Sequence, residues 1–362
     1  MQYRFSLTLA AVAGLAVSAS AHTVFTTLFI DDKNQGDGTC VRMPKDPNTC
    51  TSPVENVASN DMACSRDGEQ AVAFSCPASA GGTLTFEFRE WANAEQPGAI
   101  DISHKGPCAV YAKQVTDMDK DEASGPGWIK LWDDGYDENT KKWCTEKLID
   151  NKGLLSFEIP DGLPAGYWLF RPELLALHNA DKGDPQFYVG CAQVFVQSGN
   201  TAALNVPADQ KVNIPGHVHA NDPGLTFNIY EPMFPYPVPG PKVFTVPSPR
   251  GGSGGSGPAQ TQGVIPSKYI VKNGNWIGVE VPDYSTEDGC WAASENCWKQ
   301  ASSCYAAAPP TGDEGCRAWE MKCNGIQAAC RDGNFQGPPN KGQKLPVKEP
   351  PIPGTIPPPV NV

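Results

Sequence analysis

Beyond its first twenty-odd residues the chain has no apolar run long enough to cross a bilayer. It has no Lys/Arg stripe either: 28 basic residues stand against 40 acidic ones, a formal net charge of -12. That balance argues against a nucleic-acid partner and suits a neutral one such as a glycan. None of the 13 cysteines sits in a C-x2-C knuckle, so a zinc ribbon is excluded and disulfides become the default use. Residues 22–247 show no long amphipathic helical pattern. Histidine is scarce as well, at five in 362 residues: His22, His104, His178, His217 and His219.

What the N-terminus does have is a secretory pattern. Arg4 supplies a short positive region, Phe5 to Val17 an apolar run, and Ala19-Ser20-Ala21 a small-residue cleavage site. A cut after Ala21 is expected, giving an extracellular protein with no membrane anchor whose first residue is His22.

Residues 22–247 then read as an all-β sandwich, with short strand-like segments between Gly, Pro, Asn and Asp clusters. In "TLTFEFREW", Leu84, Phe86 and Phe88 alternate with Thr85, Glu87 and Arg89, which predicts one buried and one wet face. "CAVYAKQV", "GWIKLW", "LLSFEIP", "GYWLFRPELLAL", "QFYVGCAQVFVQ" and "LTFNIY" read similarly. "SPRGGSGGSGPAQTQG", spanning 248–263, reads as a flexible linker. A Cys-rich module is expected over 264–335, and an extended Pro-rich tail over 336–362.

The six cysteines of that module, Cys290, Cys297, Cys304, Cys316, Cys323 and Cys330, are separated by six, six, eleven, six and six residues. A step of seven returns an α-helix to nearly the same face about 10.5 Å further on. Each half therefore carries a row of three, and the Pro-Pro and Gly between the halves reverse the chain. The spacing predicts a helical hairpin with nested rungs: Cys290 with Cys330, Cys297 with Cys323, Cys304 with Cys316. A metal cage is the alternative use, but seven-residue steps suit rungs better than a tetrahedral site.

A leading histidine has a chemistry of its own. Its α-amino group and imidazole Nδ1 can chelate one metal ion, a third nitrogen from another histidine completes three equatorial donors, and such a set favours Cu(II). His104, just before a Gly-Pro turn, stands where a loop can present it, although a surface turn histidine is the plainer reading. His217 and His219 have same-strand-face spacing that suits zinc, but two ligands make no site. A glycoside hydrolase would need a pair of carboxylates, and no pair stands out among the 40 acids.

Several motifs occur in one order: "HTVF", "SNDMAC", "SHKGPCAVY", "ALHNADKGDPQFYVGCAQ", "DPGLTFNIY" and "YPVPGP". By these, the stretch from His22 to about Pro247 resembles the fungal lytic polysaccharide monooxygenases of auxiliary activity family 9, formerly family 61 glycoside hydrolases. The resemblance implies an immunoglobulin- or fibronectin-like β-sandwich with long loops and one copper ion on a flat face. His22 and His104 would be the nitrogen ligands, Tyr188 the axial residue, and His178 with Gln186 the pair that hydrogen-bonds oxygen beside the metal. Tyr236 would stack on substrate. The implied activity is oxidative cleavage of β-1,4-glucan, cellulose above all, at C1 or C4, with O2 or H2O2 and an external electron donor, by a secreted monomer. A non-catalytic glycan-binding protein is the alternative. The resemblance also implies a Cys64–Cys191 disulfide. Cys40 with Cys50 and Cys108 with Cys144 are the further expected pairs, leaving Cys76 free.

Overall fold

The computed structural model describes residues 22–248 and 257–360; the leader read at 1–21 and residues 249–256 of the expected linker lie outside the described residues. Along the chain the first elements are β1 (Val24–Ile30), β2 (Lys33–Asn34), β3 (Val41–Arg42), the one-turn α1 (Asp61–Cys64), β4 (Cys76–Ser79), β5 (Thr83–Arg89), β6 (Cys108–Val115) and β7 (Gly125–Asp134). There follow β8 (Tyr136–Asp137), β9 (Lys142–Trp143), α2 (Cys144–Asp150), β10 (Leu154–Glu158), β11 (Gly166–Ala176), β12 (Gln186–Val189), β13 (Cys191–Gln197) and β14 (Lys211–Ile214).

Two sheets form a sandwich. One has the order β10-β5-β1-β2; the other runs β14-β7-β6-β11-β13-β3, with β12 paired to β11 and β4 to β13. Leu84, Phe86 and Phe88 of β5 enter the layer between the sheets, where they meet Val110, Trp168, Phe170 and Val194 of the larger sheet. The other face of the larger sheet is also apolar, with Tyr111, Trp128, Leu169 and Phe195 packed under loops.

The other face of β5 is not wet. Thr85, Glu87 and Arg89 are buried. Arg89 joins Glu87 and Asp37, each at 2.6 Å, and Thr85 bonds Ser156 at 2.8 Å, so the polar face satisfies itself away from water. The Pro-rich tail contributes to this cover. Pro351 and Pro353 share a cleft with Glu87 and Arg89, and Val360 pairs in parallel with Phe157, its N–H donating to Ser156 O at 2.9 Å. A segment too rich in proline to form a ladder thus supplies one residue with a free N–H to the exposed edge of β10.

The expected Cys40–Cys50 pair is not formed. Cys40 bonds Cys76, Cα atoms 5.8 Å apart, and Cys50 is the free, buried thiol. The cause lies in the sheet. β3 and β4 pair with successive halves of the same β13 edge, Ala192 with Val41 and Val194 with Cys76, so Cys40 and Cys76 meet where the two short strands abut. Proximity along the chain lost to proximity across β13. Cys64–Cys191 and Cys108–Cys144 are both present. A second difference is "LTFNIY", which forms no strand. Asp222 O accepts from both Leu225 and Thr226 N–H, and Asn228 Oδ1 from Tyr230 N–H, so the backbone is spent on turns.

The described end of the linker is docked. Tyr167 Oη accepts the N–H groups of Thr261 and Gln262 at 2.7 and 2.6 Å, and Gly263 O accepts Ser75 N–H at 2.9 Å. It leads to a small hairpin, β15 (Val271–Asn273) and β16 (Trp276–Gly278), and then to α3 (Glu287–Ala307) and α4 (Glu314–Arg331). Thr286 caps α3 by accepting Gly289 N–H. The rungs are Cys290–Cys330, Cys297–Cys323 and Cys304–Cys316, with Cα separations of 5.7, 5.4 and 5.5 Å. The helices are 21 and 18 residues, longer than the fifteen-residue span of each row, because a capped start and a late turn at Pro309–Gly312 extend them. The hairpin β15–β16 fixes the module to the sandwich: Asn275 accepts Cys40 N–H at 2.9 Å and donates to Gly38 O at 2.6 Å.

Candidate functional site

His22 precedes β1, and its neighbour Thr23 pins it. Thr23 N–H donates to Thr51 O at 3.1 Å, and Thr23 Oγ1 to Ala99 O at 2.5 Å. Ala99 begins the descent of the β5–β6 loop to His104, so one hydrogen bond ties the two histidine-bearing segments together. An Asx turn, Ser103 N–H to Asp101 Oδ1 at 2.8 Å, sets the loop tip. Gly106 then lets the loop close on β11: a Cβ there would stand 1.8 Å from Leu175 O. Flanking bonds, Leu177 N–H to Lys105 O and Leu175 N–H to Pro107 O, complete the anchor.

Tyr188 comes from β12, whose register against β11 pairs it with Leu174 and pairs Gln186 with Ala176. The two-residue spacing puts Gln186 and Tyr188 on one face. The Tyr188 hydroxyl donates to Gln186 Oε1 at 2.9 Å, and Gln186 Nε2 donates to Asp184 at 3.1 Å. Gln186 is thus first a partner of Tyr188.

Around the Tyr188 ring stand His22, at a centroid distance of 6.3 Å, and His104, at 6.0 Å; His178 lies against His104 at 4.1 Å. His104 is buried and Nδ1 sits 3.1 Å from Ser103 Oγ, which leaves Nε2 as the nitrogen turned to other use. Burial, then the charge of His178, pull the His104 imidazole down to about pKa 4; Asp101 opposes them, and His22 adds a smaller pull. His22 is lowered by burial, Arg66 and His178, and His178 chiefly by burial. Three imidazoles kept neutral offer lone pairs rather than N–H⁺ groups. Burial raises the Tyr188 phenol, so it stays protonated. His178 Nδ1 is buried without a hydrogen-bond partner, in a ring that lies 4.1 Å from His104. Among the described residues no three His, Cys, Asp or Glu side chains form a metal cage. A metal here would rest on two imidazoles and an amine.

The other expected residues fall elsewhere. His217 is buried beside Glu173, 3.7 Å away, whereas His219 lies on the surface near Asp222; the two share no site. Tyr236 is not on an open face. It is 9% exposed, its hydroxyl donates to Gly224 O at 2.9 Å, and its ring makes edge contacts with Trp143 and Phe227. The prolines around it bend the chain so that the ring fills a loop core. The exposed ring beside the cluster is Tyr230, 66% exposed, whose hydroxyl donates to His178 O at 3.1 Å. Ile102, 60% exposed, flanks His104. Reading "LTFNIY" as a strand hid Tyr230; the Asn two residues before it, an Asx-turn signal, was the available clue.

The chain is similar to known proteins along most of its length. The family profile described as Auxiliary Activity family 9 (formerly GH61) matches residues 22–236, starting at His22. AA9 family lytic polysaccharide monooxygenase C of Aspergillus tamarii is 51% identical over 346 residues, covering 91% of each chain. Monooxygenase H of the same family from Botryotinia fuckeliana is 51% identical over 333 residues, 89% of this chain and 75% of its own. A solved structure named CvAA9A superposes with a TM-score of 0.55 at 33% identity, covering 62% of this chain and 98% of its own. Similarity to the first two therefore reaches into the Cys-rich module, while similarity to the third covers a smaller part of the chain. Sharing half its residues over nine tenths of its length with such proteins, the chain belongs to Auxiliary Activity family 9, the lytic polysaccharide monooxygenases.

Proposed function

We propose that the chain is a secreted, copper-dependent enzyme that oxidatively cleaves β-1,4-glucan, with cellulose as substrate, at C1 or C4, using O2 or H2O2 and an external reductant. The observation that carries this reading is the placement of His22 and His104 at matching distances from the Tyr188 ring. The family match beginning at His22 supports cleavage after Ala21, which would turn the His22 amide into an amine. That amine, His22 Nδ1 and His104 Nε2 would hold the copper, with the protonated Tyr188 hydroxyl beside them. The donor set fits: neutral imidazoles and an amine suit copper better than oxygen-seeking ions.

The chemistry a bound copper supplies is one-electron reduction of dioxygen or peroxide, with oxidation of a strong C–H bond. The chain's own residues do the rest. Ser103 Oγ, by accepting the His104 Nδ1–H, would leave Nε2 to bind, as hydrogen bonds to a ligand's other nitrogen generally do. Gln186 holds the Tyr188 hydroxyl in place and keeps its proton. His178, its Nδ1 unpaired and its carbonyl engaged by Tyr230, would be able to give or take a hydrogen bond beside the ligands. Tyr230, exposed and tied through its hydroxyl to His178 O, offers an aromatic face to a sugar ring, the part earlier expected of Tyr236.

The test is a form of the protein carrying one extra residue before His22. It should keep its melting temperature, lose tight copper binding in titration calorimetry, and release no oxidised oligosaccharides from cellulose. Unchanged affinity and product would overturn the ligand assignment. Binding of glucan without any oxidised product from the correctly processed protein would favour the non-catalytic alternative.

A further inference from the structure

The helix α3 carries a row that the copper chemistry does not use. Trp291, Trp298 and Tyr305 each follow a rung cysteine by one residue, so they recur at seven-residue steps. Seven residues advance about 10.5 Å along a helix, close to the roughly 10 Å that two rings of an extended, two-fold β-1,4-glucan ribbon span. Trp291 is 38% and Tyr305 40% exposed, and Trp298 is half-buried.

The row lies on the open face of the hairpin. The opposite face is taken by β15–β16: Gln300 bonds the N–H and C=O of Val279, and the Trp319 ring packs edge-on to Trp276 and close to Gly278. Because the helices are antiparallel with their cysteines facing, the residue after each cysteine comes to the same side on both. On α4 those residues are Arg317, Asn324 and Arg331, all exposed. The Tyr305 hydroxyl donates to Glu320 of α4 at 2.6 Å, which locates the row at that side. Between successive rings on α3, Ser294 and Ala301 turn inward and are buried, while Glu295 and Ser302 stand exposed beside the row.

We infer that this face is a second polysaccharide-binding surface, one that docks an extended β-1,4-glucan chain along α3. Pyranose rings present C–H faces that stack on aromatic rings, and their equatorial hydroxyls need donors and acceptors alongside. Here the rings come at every second sugar, and Arg, Asn and Glu flank them. The charges are mixed and balance closely, which suits an uncharged polymer better than an acidic or basic protein. Three disulfides hold the rings in place before binding, so little side-chain and backbone order is lost on contact. The direct hydrogen bonds from Asn275 to the sandwich hold this surface to the catalytic part instead of leaving it on a free tether.

The choice of glucan rests on the proposed substrate, so the test reads adsorption without reductant. The processed full-length protein and its Trp291→Ala/Tyr305→Ala variant are equilibrated with microcrystalline cellulose and with xylan, whose three-fold chain does not match the spacing. Both side chains are exposed, and retained helicity and melting temperature show that the variant folds. The expected result is a partition coefficient on cellulose lowered about tenfold, little change on xylan, and unchanged peroxide production without substrate. A Trp291→Phe/Tyr305→Phe variant keeps the rings and stays within about twofold of wild type. Equal adsorption by the Ala variant overturns the inference, and so does a wild-type dimer in sedimentation that the Ala variant dissolves without loss of adsorption. Loss of oxidation with adsorption intact, as expected for His104→Ala, separates a failure of the catalytic reading from a failure of this one.

Discussion

The sandwich and the C-terminal module hold three disulfides each and use them differently. In the sandwich the bridges join strands and loops around a core of Phe, Leu, Val and Trp that two full sheets enclose. In the module, six of the sixteen residues in the buried cluster are the cysteines themselves. A large domain buries enough apolar surface to fold around; two helices and a two-stranded hairpin do not. The same covalent bond therefore reinforces one region and constitutes the interior of the other. The placement of function follows. The sandwich sets its chemistry on loops braced by a deep core, whereas the module sets its row of rings on a helix that its own bridges make rigid.

This comparison can be broken or sharpened by experiment. The largest effect is expected in the sandwich from Phe86→Ala, which removes a fully buried ring between the sheets and should cost about 3–5 kcal/mol in chemical denaturation. A loss below about 1 kcal/mol would mean that the disulfides carry the sandwich too. Next, Cys297→Ala with Cys323→Ala opens the middle rung and should cost the module about 3 kcal/mol. Hydrogen exchange should rise in α3 and α4 while β5 and β11 stay protected; loss of protection in both regions would show one cooperative unit instead of two modes of stabilisation.

Acid should separate the regions further. Glu173 is buried in the sandwich beside Arg171 and His217; burial raises its carboxyl, but those partners outweigh it and bring the folded pKa to about 2. Its contribution is complete above the unfolded value near ~4.3 and is lost as pH falls towards 2. His217 is lowered by burial against the pull of Glu173, so the unfolded state takes up its proton first and stability also falls below about pH 6.5. Both groups, packed with Tyr111, act in the same direction. The sandwich melting temperature should fall from pH 6 to pH 3 more steeply than that of the module. Equal slopes would remove Glu173 and His217 as the cause. The smallest effect is expected from Thr286→Ala, which deletes the α3 cap and should cost about 1 kcal/mol, seen as fraying at the start of the helix near Cys290.

Much of both regions was legible in the residues, for different reasons. The rungs followed from spacing, because a helix repeats over a few residues and a seven-residue step leaves little choice of partner. The strands of the sandwich were legible as alternation, and His22, His104 and Tyr188, which the fold brings together, were singled out only through the resemblance of their motifs. The covered outer face of β5 was not legible, since alternation reports which side chains are polar and not what lies over them. Nor was the docked end of the linker, whose Gln and Thr residues carry no apolar signal and bind through hydrogen bonds to Tyr167, Asp117 and Ser75.

The amino-acid sequence by itself determined the two-part build, the sandwich class of the first part, the nested bridges of the second and the histidine that a cut after Ala21 would expose. Only the tertiary structure decided that Cys40 joins Cys76, that Tyr236 is buried while Tyr230 is presented, that Val360 returns to β10, and that three rings on α3 share an uncovered face. The physical reason is range. Helical period and local motifs are set by residues a few positions apart, whereas strand adjacency and burial depend on which distant segments occupy the space beside them.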